Sequence, residues 1–205
     1  MDFTLTGTDP RFLPLKRRLE ADGHRLSPDS GHIIAPPAER RGIPYYKDEV
    51  FIIENAALTA EGAVALLMRR SDRAVMGMRV LVAGYGRIGS LLAGMLSSLG
   101  ADVTVCARSP AARATARAFG YRALDFGRLD ATYDAVINTV PARVLAGDYG
   151  GAVCIDLASA PGGWAVGEGG TVIRAPGLPG LYAPRAAADA MAEAIYRAME
   201  VITDE

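Results

Sequence analysis

The stretch of residues 78–109, MRVLVAGYGRIGSLLAGMLSSLGADVTVCARS, decides the fold of the chain. It opens with the run Arg79–Ala83, which is short, apolar and rich in β-branched residues, as is typical of a buried parallel strand. A glycine-rich turn follows, and behind it apolar residues recur at the spacing of one face of an amphipathic helix. Gly100 ends this helix, and residues 102–107 are predicted to form a second strand. The stretch therefore predicts a parallel βαβ unit.

The turn at residues 84–89 reads GYGRIG and predicts a dinucleotide site. In such a turn the first glycine allows the sharp bend, the second lets the backbone approach a pyrophosphate, and the third lets the helix pack on the sheet. The helix N-terminus offers N–H groups to the phosphates. The motif alone is weak, but its place between a strand and a periodic helix supports it; the alternative is a glycine turn that only packs. The predicted contacts are Gly84, Tyr85, Gly86, Arg87, Ile88 and Gly89.

The residues after the second strand favour NADP(H) over NAD(H). An NAD site usually has Asp or Glu here to accept hydrogen bonds from the ribose. This chain has Ala107, Arg108 and Ser109, with Arg113 one turn into the next helix. A guanidinium and a hydroxyl suit a 2′-phosphate, which arginine binds through two parallel hydrogen bonds. The alternative is an arginine that is only solvated.

Composition excludes several classes of function. The chain has 205 residues, half of them apolar, and a net charge of −1, which gives no electrostatic case for nucleic acid or an anionic membrane. No apolar run looks long enough to span a bilayer, and the N-terminus does not resemble a signal peptide. Cys106 and Cys154 both fall in predicted strands, so we expect two buried thiols and a cytoplasmic protein. No metal site is predicted.

The order of elements predicts an α/β protein. We expect a small α/β domain at residues 1–54, a bridging helix at 55–76, a Rossmann-type doubly wound parallel sheet at 77–183 and a final helix at 184–205. In the first domain, residues 50–53 are predicted as a strand. Thr59 is predicted as the N-cap of the bridging helix, with Glu61 in its first turn. Asn55, Thr59 and Glu61 are expected to face the nicotinamide and substrate.

Ligands of open α/β sheets bind beyond the carboxyl ends of the strands. Two later strands are predicted at residues 134–138 and 152–156, and the segments that follow them should border the nicotinamide half of a cofactor. The predicted contacts there are Asn138, Thr139, Val140, Pro141, Leu157, Ala158 and Ser159.

Five segments of the chain carry a family resemblance: the turn at 84–89, residues 107–109 (ARS), 137–141 (INTVP), 155–163 (IDLASAPGG) and 175–180 (APGLPG). Together and in this order they resemble the family of the dipicolinate synthase A subunit. The resemblance begins near residue 55 with Thr59-Ala-Glu-Gly62 and runs to the final helix. It implies a first domain that is flavodoxin-like but abridged, keeping mainly the turn at 7–11 (GTDPR).

The resemblance also implies a function. Enzymes of this family oxidise dihydrodipicolinate to pyridine-2,6-dicarboxylate with NADP during endospore formation, and their partner is the B subunit of dipicolinate synthase, which is flavoprotein-like. Glu61 would then be the base, with Asn55 and Thr59 in orienting roles. The dicarboxylate needs cations, and the arginines available are Arg11, Arg143, Arg174 and Arg185. Whether the chain forms a homo-oligomer stays open.

Three alternatives are weighed against this interpretation. A 2-hydroxyacid dehydrogenase has a similar nucleotide domain, but it needs a catalytic histidine and arginine, whereas His24 and His32 precede that domain and Ala158-Ser159 stand where the arginine belongs. The adenosylhomocysteinase group shares the layout, but its catalytic lysine and histidine are not evident. A non-catalytic NADP-binding protein that regulates a partner is the third alternative, and turnover by the isolated chain would argue against it.

Overall fold

The computed structural model describes residues 1–129, 132–147, 149–164 and 171–203. The chain divides into two compact units. The first unit combines Met1–Leu58 with Gly177–Glu205, and the second is Thr59–Pro176. The last part of the chain therefore returns to the first unit. Residues 204–205 of the expected final helix lie outside the described residues.

The second unit is built on a six-stranded sheet in which every neighbouring pair of strands is parallel. Its strands are β4 (Arg79–Ala83), β5 (Asp102–Cys106), β6 (Arg122–Leu124), β7 (Ala135–Asn138), β8 (Val153–Asp156) and β9 (Val172–Arg174). Their order in the sheet is β6-β5-β4-β7-β8-β9, so the direction of the strand order reverses between β4 and β7, as in a Rossmann-type sheet. This confirms the predicted fold class.

Two helices connect the first three of these strands. Helix α3 (Arg87–Ser98) buries Gly89, Leu92, Ala93 and Leu96, which recur at helical spacing. Helix α4 (Pro110–Ala118) begins with a proline at its first position, and the Ser109 hydroxyl accepts a hydrogen bond from Ala112 N. In the described residues, β7, β8 and β9 are joined by loops.

The first unit holds a small parallel sheet in the order β2-β1-β3, formed by β1 (Asp2–Leu5), β2 (Arg25–Leu26) and β3 (Ile33–Ile34). Strand β2 is only two residues long and was not predicted from the sequence. Helices α1 (Phe12–Ala21), α5 (Leu178–Tyr182) and α6 (Pro184–Thr203) complete the unit. Its core packs Phe3, Leu15, Leu19, Tyr45, Met191 and Ile195 together.

Helix α2 (Glu49–Arg70) corrects two predictions. Residues 50–53 were expected to form a strand but lie in its first turns. Thr59 was expected to cap the helix but lies in its middle. The actual start is fixed by Asp48, whose Oδ1 accepts a hydrogen bond of 2.8 Å from Phe51 N. The bridging helix expected over 55–76 thus begins and ends about six residues earlier.

Helix α2 is also long and apolar enough to cross a membrane by length and composition, whereas no such segment was predicted from the sequence. Half of its apolar window is buried inside the protein. We therefore assign it as a core helix of the α/β fold.

Candidate functional site

The turn after β4 has the geometry that its glycines predict. Gly84 has φ of +99°, and a Cβ at this residue would collide with the Thr139 hydroxyl. A Cβ at Gly89 would collide with the carbonyl oxygen of Gly84. Because both glycines are in close contact with neighbouring atoms, neither leaves room for a larger residue.

Gly86 differs from the other two glycines. It is exposed, it lies at the N-cap of α3 without a side-chain cap, and a Cβ there would have no neighbour within 4 Å. Packing of the described residues therefore does not explain a glycine at this position. Open space beside the N-terminus of a helix suits a pyrophosphate, so the turn fits a dinucleotide.

The segment after β5 separates the three polar residues predicted to bind a 2′-phosphate. Arg108 and Ser109 are exposed. Arg113 instead turns back, and its Nη1 donates to Ala107 O at 2.6 Å and to Arg108 O at 2.7 Å. Nη1 also donates to Asp125 Oδ2 at 2.8 Å. Arg113 thus fixes the backbone on which Arg108 stands, and Arg108 and Ser109 remain as the exposed pair.

The loops after β7 and β8 are joined by a buried side-chain pair. Asn138 Nδ2 donates to Asp156 Oδ1 at 2.8 Å and to Val140 O at 2.9 Å, and Asn138 Oδ1 accepts from Val140 N. The Asp156 carboxylate also accepts from Ala158 N at 3.2 Å and from Gly163 N at 2.9 Å. Asn138 was expected to point at the cofactor, but its side chain is fully buried and its oxygen and nitrogen are bonded within the loops. Its side chain therefore joins the ends of β7 and β8 and does not point at a cofactor.

No role was predicted for Asp156 from the sequence. A signal was nevertheless available, because Asn138 and Asp156 are the polar residues that end two apolar runs. In the sheet these runs become adjacent parallel strands, and the two residues lie opposite each other.

The other residues predicted at this edge of the sheet are brought together there. The Thr139 hydroxyl donates to Ala83 O at 2.9 Å, which places its side chain against the glycine turn. Leu157 is buried, and its N–H donates to Asn138 O. Pro141 and Ser159 are exposed, while Val140 and Ala158 are half-buried. The structure thus collects these segments and the glycine turn at the carboxyl edge of one sheet.

The three residues expected on the catalytic side of α2 do not share a face. At about 100° per residue, Asn55 and Thr59 lie one turn apart on the same side of a continuous helix. Glu61 is about 200° from Thr59 around the axis. Burial agrees with this placement, since Thr59 is buried and Glu61 is exposed. Because α2 is continuous through these residues, it does not bring the three side chains together on one face.

Arg11 and Asp9 form a tight pair in the first unit. Arg11 Nε and Nη2 donate to the two oxygens of Asp9 at 2.8 and 2.6 Å, and Nη1 donates to Asn55 Oδ1 at 3.1 Å. Both charged side chains are largely buried. Burial by itself raises the pKa of Asp9, but the side-chain and backbone hydrogen bonds from Arg11 and its positive charge together outweigh that effect, so the pKa of Asp9 is lowered.

The two histidines and Cys106 lie outside the groups described above. His24 contacts the rings of Phe3 and Tyr196, and His32 Nδ1 lies 3.2 Å from Asp2 O. Burial raises the pKa of the Cys106 thiol to about 12, so it is not a thiolate at neutral pH. Among the described residues, no group of three or more His, Cys, Asp or Glu side chains is placed to hold a metal ion.

Comparison with known proteins supports the nucleotide site. Residues 53–145 match the family model for the NAD binding domain of D-isomer specific 2-hydroxyacid dehydrogenases. The match covers the nucleotide-binding part of the chain, which is the part already noted as similar to that of the 2-hydroxyacid dehydrogenases.

A curated relative matches most of the chain. The A subunit of dipicolinate synthase from Bacillus subtilis (strain 168) is 32% identical over 184 residues, which are 84% of this chain. The chain spans about 62% of that relative's length.

Two crystal structures share the fold. That of dipicolinate synthase from Bacillus subtilis has a TM-score of 0.79 at 22% identity, over 100% of this chain and 98% of that one. The A subunit from Bacillus halodurans has a TM-score of 0.77 at 21% identity, over 96% of each chain. With its Rossmann-type sheet and its glycine turn, the chain is a homologue of the dipicolinate synthase A subunit that carries an NAD(P)-binding domain.

Proposed function

We propose that this chain is the NADP-dependent subunit of a dipicolinate synthase, which oxidises dihydrodipicolinate to pyridine-2,6-dicarboxylate. The observation that carries the proposal is the exposed Gly86 at the N-terminus of α3, in a chain that is 32% identical to the A subunit of a dipicolinate synthase. The chain would act in the cytoplasm of a sporulating cell, with the flavoprotein-like B subunit as its partner.

The reaction removes one hydride and one proton from the dihydropyridine ring, and the aromatic product supplies the driving force. When bound, NADP supplies the hydride acceptor. The chain must therefore hold the cofactor, bind a dicarboxylate beside it and receive one proton.

Different residues at the carboxyl edge of the six-stranded sheet would bind different parts of the cofactor. Backbone N–H groups at the start of α3 would bind the pyrophosphate. Arg108 and Ser109 would bind the 2′-phosphate, on a backbone held by Arg113. The loops that Asn138 and Asp156 join would border the nicotinamide half.

The proton acceptor in this proposal is Glu61, an exposed carboxylate on α2. Replacing Glu61 with glutamine keeps the size and removes the basicity. We expect kcat to fall about 100-fold or more, with cofactor affinity unchanged, because general-base catalysis contributes roughly that factor. Glu54→Gln, a second exposed glutamate of the same helix, is the matched control. Equal activity of E61Q and wild type would remove Glu61 from the mechanism.

The test of the proposed function is dipicolinate formation from freshly prepared dihydrodipicolinate and NADP⁺, with and without the B subunit. Absorbance of NADPH and of the pyridine product is followed together. Equal amounts of both products support the proposal, and dependence on the B subunit makes the chain one part of a two-component enzyme. Cofactor binding without product under either condition would point to a regulatory NADP-binding protein or to another small carboxylate as substrate.

A further inference from the structure

The four arginines available for a substrate carboxylate are held very differently. Arg11 is the most engaged, because Asp9 occupies its guanidinium in a two-point ion pair with only 12% of the arginine side chain exposed. Arg143 and Arg185 are exposed, on the loop after β7 and at the start of α6. Arg174 is half-exposed at the carboxyl end of β9 and is held by weak contacts.

The contacts of Arg174 orient its guanidinium group but are long, so N–H donors of the group remain available. Nη2 donates to Pro161 O at 3.4 Å, and Nη1 lies 3.9 Å from Asp156 Oδ2. Both are long for an arginine, whose charge-assisted hydrogen bonds to carboxylates are usually about 2.7–2.9 Å. Among the described residues, Arg174 makes no other polar side-chain contact. The guanidinium therefore keeps N–H donors for a ligand.

Asp156 does not need Arg174 as a partner. Its two oxygens already accept three N–H bonds, from Asn138, Ala158 and Gly163. Three donors stabilise a buried carboxylate without a cation. The negative charge of Asp156 holds the guanidinium near the loop, while the loop itself meets the hydrogen-bonding needs of the carboxylate.

The glycine at residue 162 keeps the place open for the guanidinium. A Cβ on Gly162 would lie 2.5 Å from Arg174 Nη1 and 2.9 Å from Nη2, and its φ of +79° also favours glycine. The loop thus fits closely around a guanidinium that it bonds only weakly.

The place of Arg174 in the sheet separates it from the cofactor phosphates. The pyrophosphate turn follows β4, and β9 is three strands away through β7 and β8. At about 4.8 Å per strand this is about 14 Å, on the side opposite Arg108 after β5. An anion bound by Arg174 is therefore on the nicotinamide side of the sheet.

We infer that Arg174 binds one carboxylate of the substrate, with Asp156 and Gly162 as the residues that position its guanidinium. The identity of the dicarboxylate rests on the proposed function. The new element is the guanidinium of Arg174 as the cation that binds it.

The test measures binding of pyridine-2,6-dicarboxylate by calorimetry in the presence of saturating NADP⁺, and compares it with binding of pyridine-2-carboxylate. We expect Arg174→Gln to weaken dicarboxylate binding about tenfold or more, since hydrogen bonds to charged groups are among the strong ones. The preference for two carboxylates over one should shrink by a similar factor. NADP⁺ affinity should stay within about twofold, because Arg174 lies away from the phosphates.

Two further arginine variants serve as a control and as a competing candidate. Arg117→Gln removes an exposed charge from the last turn of α4 and should leave dicarboxylate binding unchanged. Arg143→Gln tests an exposed arginine on the loop after β7, which is a central strand of the same sheet. A large loss in R143Q with none in R174Q would overturn the inference.

The remaining outcomes are also decisive. Unchanged dicarboxylate binding by R174Q, or no binding by the wild type, would overturn the inference. Binding that depends on Arg174 without turnover of dihydrodipicolinate would refute the proposed function and leave the carboxylate site standing.

Discussion

Asn138 Nδ2 donates a hydrogen bond of 2.8 Å to Asp156 Oδ1, and both side chains are buried where β7 and β8 end. The two residues lie opposite each other in the sheet. One side chain also bonds the loop after β7, and the other bonds the loop after β8. The pair therefore makes the two loops one ordered surface at the carboxyl edge of the sheet.

Replacing Asp156 with asparagine should destabilise the second unit. The carboxylate accepts three N–H bonds, whereas an asparagine at this site would turn its own NH₂ group towards one of these donors. We expect the free energy of unfolding to fall by about 2 kcal/mol or more in urea titrations, because a buried donor is left unsatisfied. Asp102→Asn, at an exposed residue of β5, should stay within about 0.5 kcal/mol. Equal stability of the two variants would show that the loops do not depend on the pair.

Substitutions in the glycine turn should separate folding from cofactor binding. Gly86→Ala meets open space, so we expect a loss of at most about 1 kcal/mol, from a weaker helix N-cap. Its affinity for NAD(P) should fall below detection, since the methyl group takes the place of a phosphate.

Gly84→Ala is the matched variant for folding. Its φ of +99° and its contact with Thr139 should cost about 2 kcal/mol or more in stability. Thermal unfolding with and without cofactor measures both effects. Normal cofactor binding by G86A would contradict the assigned phosphate position.

The Rossmann-type sheet could be predicted because its signals are local. Between residues 78 and 109, each strand is a short β-branched run and each turn is marked by glycine. The Asn138–Asp156 pair could not be derived in the same way. Each residue is visible at the end of an apolar run, but their contact depends on the register of two strands that are distant in the chain.

The first unit shows the opposite case, in which local signals mislead. Residues 50–53 are apolar and three of the four are β-branched, yet they lie in the first turns of a helix. The deciding contacts are the Asp48 cap and the ion pair between Asp48 and Arg197, which is 149 residues away in the sequence. The same error made Thr59 the expected cap of this helix, whereas Thr59 lies in its middle and is buried.

The choice between NADP and NAD should depend on Arg108. It remains exposed beside Ser109, while Arg113 is bonded to the carbonyl oxygens of Ala107 and Arg108. We expect Arg108→Asp to reduce the ratio of NADPH to NADH affinity by about tenfold or more, by removing a cation and adding an anion beside the 2′-phosphate. Arg117→Asp makes the same charge change in the last turn of α4 and should leave the ratio unchanged. Fluorescence titration of both cofactors gives the ratio, and an unaltered ratio in R108D would refute the NADP assignment.

The stability of the first unit should depend on pH through Asp48. The hydrogen bonds from Arg197, together with the cap contact to Phe51 N, hold the pKa of Asp48 below its usual value of about 3.9. Because the folded-state pKa is the lower one, this contribution is complete well above pH 4 and is lost as the pH falls towards the folded-state pKa. Asp48→Asn keeps a capping oxygen and removes the charge, whereas Asp48→Ala removes both and should cost about 1 kcal/mol more.

The difference in unfolding free energy between wild type and D48N should therefore be largest near pH 6 and shrink towards pH 3.5 in urea titrations, values set by the usual pKa of about 3.9. Asp29→Asn, at an exposed residue of the same unit, controls for the change in net charge. A difference that stays constant across this range would mean that the charge of Asp48 contributes nothing, and that the start of α2 depends on the neutral cap alone.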